Sequence, residues 1–154
     1  SQYESELSDA RPTLCVNAAV DALAGHYDYE ARRQGIPVEW KLELPRFLPL
    51  PEADLCTILG NLVENSLHAT QKLAPDQRQV RVMARMITPA MMGILVENRY
   101  DGVLKKQGGI LHSTKHEGRG VGLVSIETAV RKYHGNLTVE PENNIFRVNI
   151  LLNL

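Results

Sequence analysis

Cysteine is nearly absent from this chain. Cys15 and Cys56 are the only two in 154 residues, and they show no metal-ligand or redox spacing. That argues against a thiolate metal centre or a redox pair. Both fall in helical patterns and are expected as buried, reduced thiols. An excess of charge of one sign is also missing. The formal net charge is −1, which gives no global case for nucleic acid or an anionic membrane as partner. No apolar run approaches the ~20 residues of a membrane span. The opening SQYESELSDARP has none of the features of a signal peptide. Internal repeats and low-complexity tracts are not found either. The length suits one domain with one substantial core.

The patterning divides the chain into helices and strands. Leu14, Ala18, Asp21, Ala22 and Gly25 mark the turns of a helix over 13–34, stopped by Gly35. Val38, Trp40, Leu42 and Leu44 alternate as a strand ended by Pro45. RFLPLPEAD (46–54) is a proline-punctuated connection into a second helix. Residues 79–87 and 91–98 read as an antiparallel pair joined through Thr88-Pro89. Residues 136–140 and 145–152 read as a closing hairpin that turns at Glu142-Asn143-Asn144. Runs of strands with helices segregated to one face predict a two-layer α+β sandwich.

Two segments carry the chemistry. In DLCTILGNLVENSLHATQ (54–71), Leu55, Ile58, Leu59, Leu62 and Ala69 form one apolar helical face, widened by Val63 and Leu67. Asn61, Asn65 and His68 share a stripe of their own. Asparagine is a poor helix former, because its side chain competes for backbone hydrogen bonds. Two in the middle of an apolar helix point to a metal-facing stripe, set against a plain solvated face. Mg²⁺ accepts one or two protein oxygens and keeps waters and phosphate oxygens. In GRGVGLVSIETAVRKYHG (118–135), Gly118, Gly120 and Gly122 alternate, then Leu123, Val124, Ile126, Ala129, Val130 and Tyr133 follow helical spacing. Bare backbone running into a helix N-terminus is an anion site. The spacing is not that of the dinucleotide fingerprint. Together the segments point to Mg²⁺ and a nucleoside triphosphate.

Between them lies RYDGVLKKQGGILHSTKHE, without clear periodicity. Residues 99–120 hold five Lys or Arg against two acids, a local balance of +3. A stretch this long in a compact domain is expected to be a functional lid or a disordered loop.

NLVENSLHA (61–69) looks like the N box, and GRGVGL (118–123) like the last glycine box, of the ATP-binding catalytic domain shared by gyrase, Hsp90, sensor histidine kinases and MutL, the GHKL superfamily. Over residues 13–154 the chain resembles that domain, and most closely the one of histidine kinases that read peptide signals in Gram-positive bacteria. VENRYDG (96–102) is similar to that subgroup's reduced middle glycine box, with Asn in place of Asp, and Ser113-Thr114-Lys115 to its Thr-Lys before the last box.

The resemblance implies a Bergerat fold, a mixed, mainly antiparallel sheet with helices on one face. Residues 1–12 would then be a flanking segment of a preceding domain, and about 99–117 the ATP lid. It implies ATP and Mg²⁺ as ligands, with Asn65 on the metal. Asn61 matches a position that is Glu in hydrolytic members; Asn cannot act as a general base, which favours phosphoryl transfer over hydrolysis. Lys115 matches a lid position that reaches phosphate, so the resemblance implies catalytic roles for Asn61, Asn65 and Lys115. Asn98 matches the adenine-reading position. Gly118, Arg119, Gly120, Val121, Gly122 and Leu123 match the box that holds phosphate.

The implied partner is a dimerisation domain carrying the phosphoacceptor histidine, with a response regulator acted on indirectly. The isolated domain is then expected as a monomer, the full-length protein as a homodimer anchored in the cell membrane with this domain in the cytoplasm. None of His26, His68, His112, His116 and His134 sits in an acceptor hairpin. A serine kinase of the anti-sigma-factor type and a module whose nucleotide site has decayed are the alternatives. Because Asn98 carries both a donor and an acceptor, an amide flip would let it match either purine, and the sequence predicts weak discrimination of ATP from GTP.

Overall fold

The computed structural model of the protein describes residues 11–107, 110–113 and 119–154. Lys115 and Gly118 therefore lie outside the described residues, as does most of the flanking segment 1–12.

Helix α1 spans Ala18–Arg33. Its cap is Asn17, whose Oδ1 accepts from Val20 N at 3.0 Å while its Nδ2 donates to Arg46 O at 2.9 Å. The sequence places this helix's start at 13, too early. The Asp21 carboxylate instead accepts from Leu14 N at 2.7 Å and Cys15 N at 3.2 Å, which holds that stretch outside the helix. Cys15 is thus buried but not helical, whereas Cys56 is half-buried in the next helix. Gly35, at φ +67°, ends α1 in the left-handed region.

Strand β1 (Val38–Glu43) leads to helix α2 (Glu52–Gln71), which returns to β2 (Val80–Thr88). Strand β3 (Met91–Arg99) follows across the turn at Pro89. Beyond it come β4 (Leu104–Gln107) and β5 (Ile110–Ser113), helix α3 (Arg119–Lys132), and the closing hairpin β6 (Asn136–Glu142) and β7 (Ile145–Asn153). The main sheet has the order β1-β2-β3-β7-β6. Only β1 and β2 are parallel; the other neighbours are antiparallel. The three described helices cover one face, giving the expected open α+β sandwich.

Strand alternation decides which face is covered. Val80, Val82, Ala84, Met92, Ile94, Val96, Val148, Ile150 and Leu152 point to the helices and are buried. Leu55, Ile58, Leu59, Leu62 and Val63 of α2 meet them, with Ile126 and Val130 of α3. Burying each such side chain is worth ~1.5–3 kcal/mol. The opposite face carries an ion-pair ladder, in which Glu97 takes Arg81 at 3.3 Å and Arg147 at 2.7 Å. Val124 belongs to the apolar set in the sequence reading, yet it is 60% exposed, on the outer side of α3.

The aperiodic stretch after Asn98 contains a second element. β4 and β5 pair antiparallel, Leu104 with Ser113 through Gln107 with Ile110. Runs of four residues are too short to show a period, which is why the sequence reads as a loop there. Among the described residues no helix is long and apolar enough to cross a membrane.

Candidate functional site

Topology alone brings three elements to one end of the domain. Take β1 as running up. β2 is parallel to it, so α2, which links the two, runs down. β3 then runs down, β7 up and β6 down. α3 passes into β6 through the short turn at Tyr133–Gly135, so it runs up, antiparallel to α2. The lower end therefore collects the later half of α2 with Asn61 and Asn65, the N-terminus of α3, and the end of β3 with Asn98.

A contact at the opposite end sets the level. Lys132 Nζ lies 3.0 Å from Asp54 Oδ2, and the Tyr133 hydroxyl donates to the same oxygen. Asn65 stands eleven residues after Asp54, and Val121 eleven residues before Lys132. At 1.5 Å per residue both lie ~16 Å from that contact. Asn65 is thus level with the first turn of α3, where Gly120, Val121 and Gly122 sit.

The two asparagines differ. Asn61 Nδ2 donates to Thr57 O of its own helix at 2.8 Å. Asn65 is half-buried, and its carboxamide makes no hydrogen bond to another described residue. Among the described residues no group of three or more His, Cys, Asp or Glu could hold a metal. A cation here would rest on one hard carboxamide oxygen, with phosphate and water completing its shell. That donor set fits Mg²⁺ and does not fit zinc.

Arg119 to Leu123 form the first turns of α3. The opening N–H groups of a helix lack intrahelical partners, and the helix dipole favours negative charge there. Gly120 and Gly122 carry no side chain, so at those two positions an anion can come close to the backbone.

Asn98 sits on the helix-facing side of β3, between Val80 of β2 and Phe146 of β7. It is 3% exposed, and its Nδ2 donates to Arg99 O at 3.0 Å. Its inward row, with Ile94 and Val96, is the one the alternation predicts. The Arg99 carbonyl is a partner that sequence reasoning misses, because a backbone atom leaves no mark in a residue pattern.

His68 departs from the stripe it shares with the asparagines in sequence. With Glu64 it lines a polar cavity of about 240 Å³ between α1 and α2, together with His26, Tyr27, Glu30 and Gln34. The Tyr27 hydroxyl donates to Glu64 Oε2 at 3.4 Å. Gly60 lets α1 approach this flank, with Leu23 and Tyr27 3.6 Å from where a Cβ would stand. The side of α2 bearing Asn65 is left to α3.

A family model for the GHKL domain matches residues 50–153. No curated protein matches in sequence. Several solved structures share the fold. The nucleotide-free catalytic domain of the histidine kinase ThkA superposes with a TM-score of 0.66 at 14% identity, over 88% of this chain and 90% of that one. The mycobacterial sensor histidine kinase MprB gives 0.60 at 17% identity, over 87% and 95%. Full-length ShkA in complex with AMPPNP gives 0.62 at 19% identity, over 87% of this chain and 29% of that one.

Proposed function

The chain belongs to the GHKL domain family, and on that premise we propose that it is the ATP-binding catalytic domain of a sensor histidine kinase, of the subgroup that reads peptide signals in Gram-positive bacteria. The observation that carries this reading is the meeting of Asn65, the α3 N-terminus and Asn98 at one end of the sandwich. A metal-binding oxygen, an anion-binding backbone and a buried purine-reading amide are what a nucleoside triphosphate needs, in the order metal, phosphate, base. Residues 13–154 would form the unit, with the lid over about 99–117, and 1–12 would lead in from a preceding domain.

The mechanism is positional and electrostatic. Asn65 would hold a Mg²⁺ ion, and the ion would supply charge neutralisation on the phosphate oxygens. Backbone N–H groups at Gly120 to Leu123, with Lys115, Gly118 and Arg119 before them, would hold the phosphate chain. Asn98 fixes the base, and so the angle at which the triphosphate emerges. The γ-phosphoryl is then transferred in line to a histidine nitrogen of a separate dimerisation domain, and the bond to the bridging oxygen of ADP breaks as the N–P bond forms. Asn61, whose Nδ2 is held by Thr57 O, cannot take a proton from water and so is not itself a base for hydrolysis. A response regulator would receive the phosphoryl from that histidine. The parent protein would be a homodimer anchored in the cell membrane with this domain in the cytoplasm.

Incubation with γ-³²P-ATP and Mg²⁺ tests this. The chain alone should take up no label, whereas a separately supplied acceptor hairpin of the parent kinase should gain acid-labile, base-stable phosphate. Rapid release of inorganic phosphate without such transfer would point instead to a hydrolase.

A further inference from the structure

We infer that the uncovered face of the main sheet binds a medium-chain aliphatic carboxylate, its chain in an apolar groove and its head group on Arg85. This face lies across the sheet from the helices and takes no part in the nucleotide reading. The strand register orders it in rows. Glu39, Arg81, Glu97, Arg147 and Glu140 make one row across the sheet, alternating in sign. Above that row the centre of the face turns apolar. Met83 and Leu95 are neighbours in the second row, and Gly93 and Leu151 in the third. Ile87 Cδ1 lies 2.9 Å from where a Cβ on Gly93 would stand, so Ile87 leans over the bare glycine. These residues line a cavity of about 520 Å³, inside the ~300–1,000 Å³ range of small-molecule sites. Ile87 is 44% and Leu151 37% exposed. The groove thus leaves apolar surface in water, which an aliphatic chain would cover.

Charge at the rim selects the head group. Two acids line the cavity, and each already has a cation: Lys41 lies 3.7 Å from Glu43, and Arg147 lies 3.7 Å from Glu140. Arg85 also lines it, beside Gly93 in the third row. It is exposed and makes no hydrogen bond or ion pair to another described residue. A guanidinium without an acid, at the end of an apolar groove, matches a carboxylate, which its fork takes by two parallel hydrogen bonds. An exposed ion pair is weak by itself, so the aliphatic chain supplies most of the affinity and Arg85 the orientation. A second copy of this chain fits the face poorly. The charged row reads the same from either edge, so a two-fold axis along β3 would set Glu97 on Glu97 and Arg81 on Arg147, like against like.

The test titrates the ¹⁵N-labelled chain with decanoate, kept below its micelle concentration, and follows the backbone amides. Decanoate should shift the amides of 83–87, 93–95 and 149–151 and reach saturation. Hexanoate should bind about tenfold more weakly, because fewer methylenes are covered. Arg85→Gln should weaken decanoate about fivefold, equivalent to ~1 kcal/mol, and leave decanol unchanged. An equal loss for decanoate and decanol, or no loss for either, overturns the carboxylate assignment. Equal affinity for hexanoate and decanoate, or no shift at these amides, overturns the groove. Shifts there that follow protein concentration in place of decanoate assign the face to a second copy of the chain and overturn the proposal. If Arg85→Gln fails to fold, the chain-length series on the wild-type protein decides alone.

Discussion

Asp54 and Tyr133 clamp the far end of the α2–α3 pair, the Tyr133 hydroxyl donating to the Asp54 carboxylate with Lys132 beside it. The hydrogen bond from Tyr133, then that from Lys132, holds the Asp54 carboxyl below the usual carboxylate range, and the same contact raises the Tyr133 hydroxyl. The clamp sits at the opposite end of the helix pair from the candidate site. Its consequence is register: with the helices pinned there, their lengths bring the α3 N-terminus level with Asn65.

Asn17 joins two elements through one buried side chain, capping α1 and donating to Arg46 O of the β1–α2 connection. Asn17→Ala removes both bonds and leaves the Arg46 carbonyl without that donor. We predict a loss of ~1–3 kcal/mol in urea unfolding. A loss below about 0.5 kcal/mol would mean that solvent satisfies both groups.

Asp21 gives a pH-dependent counterpart. The hydrogen bond from Arg11, then those from Leu14 N and Cys15 N, lowers its carboxyl below the usual range. A lowered folded value means folding favours the ionised form. The contribution is full above the unfolded value, near pH 4, and is lost as pH falls through the folded value. Asp21→Ala should therefore cost ~1–2 kcal/mol at pH 7, with the gap to wild type closing below pH 4. A gap that stays constant from pH 7 to pH 2.5 would assign the effect to something other than the carboxylate.

Gly135, in the turn that sends α3 into β6, has no room for a side chain. A Cβ there would stand 2.1 Å from Leu151 O, a backbone atom that cannot swing aside. Gly135→Ala should destabilise by about 3 kcal/mol, read as a fall in thermal midpoint. An unchanged midpoint would show that the turn relaxes freely.

The fold was legible where the apolar period was long. Leu55 to Leu62 at helical spacing, and Ile94, Val96 and Asn98 in alternation, gave the elements and their buried faces. Local chemistry hid the rest. The start of α1 was misplaced because Leu14 and Cys15 spend their N–H groups on Asp21, a contact made seven and six residues away. The β4–β5 hairpin was invisible because its strands are four residues each. For the candidate site, the pattern located Asn65 and Asn98 but could not orient an amide. Spacing put His68 with the asparagines, whereas the packing of α1 against Gly60 drew it into another cavity.

The claim that Asn65 holds a metal beside bound phosphate is tested most directly by calorimetric titration of ATP, with and without Mg²⁺, into wild type and Asn65→Ala. Wild type should bind ATP more tightly with Mg²⁺ than without, and Asn65→Ala should lose that difference while staying folded. The same affinity in all four combinations would contradict the account.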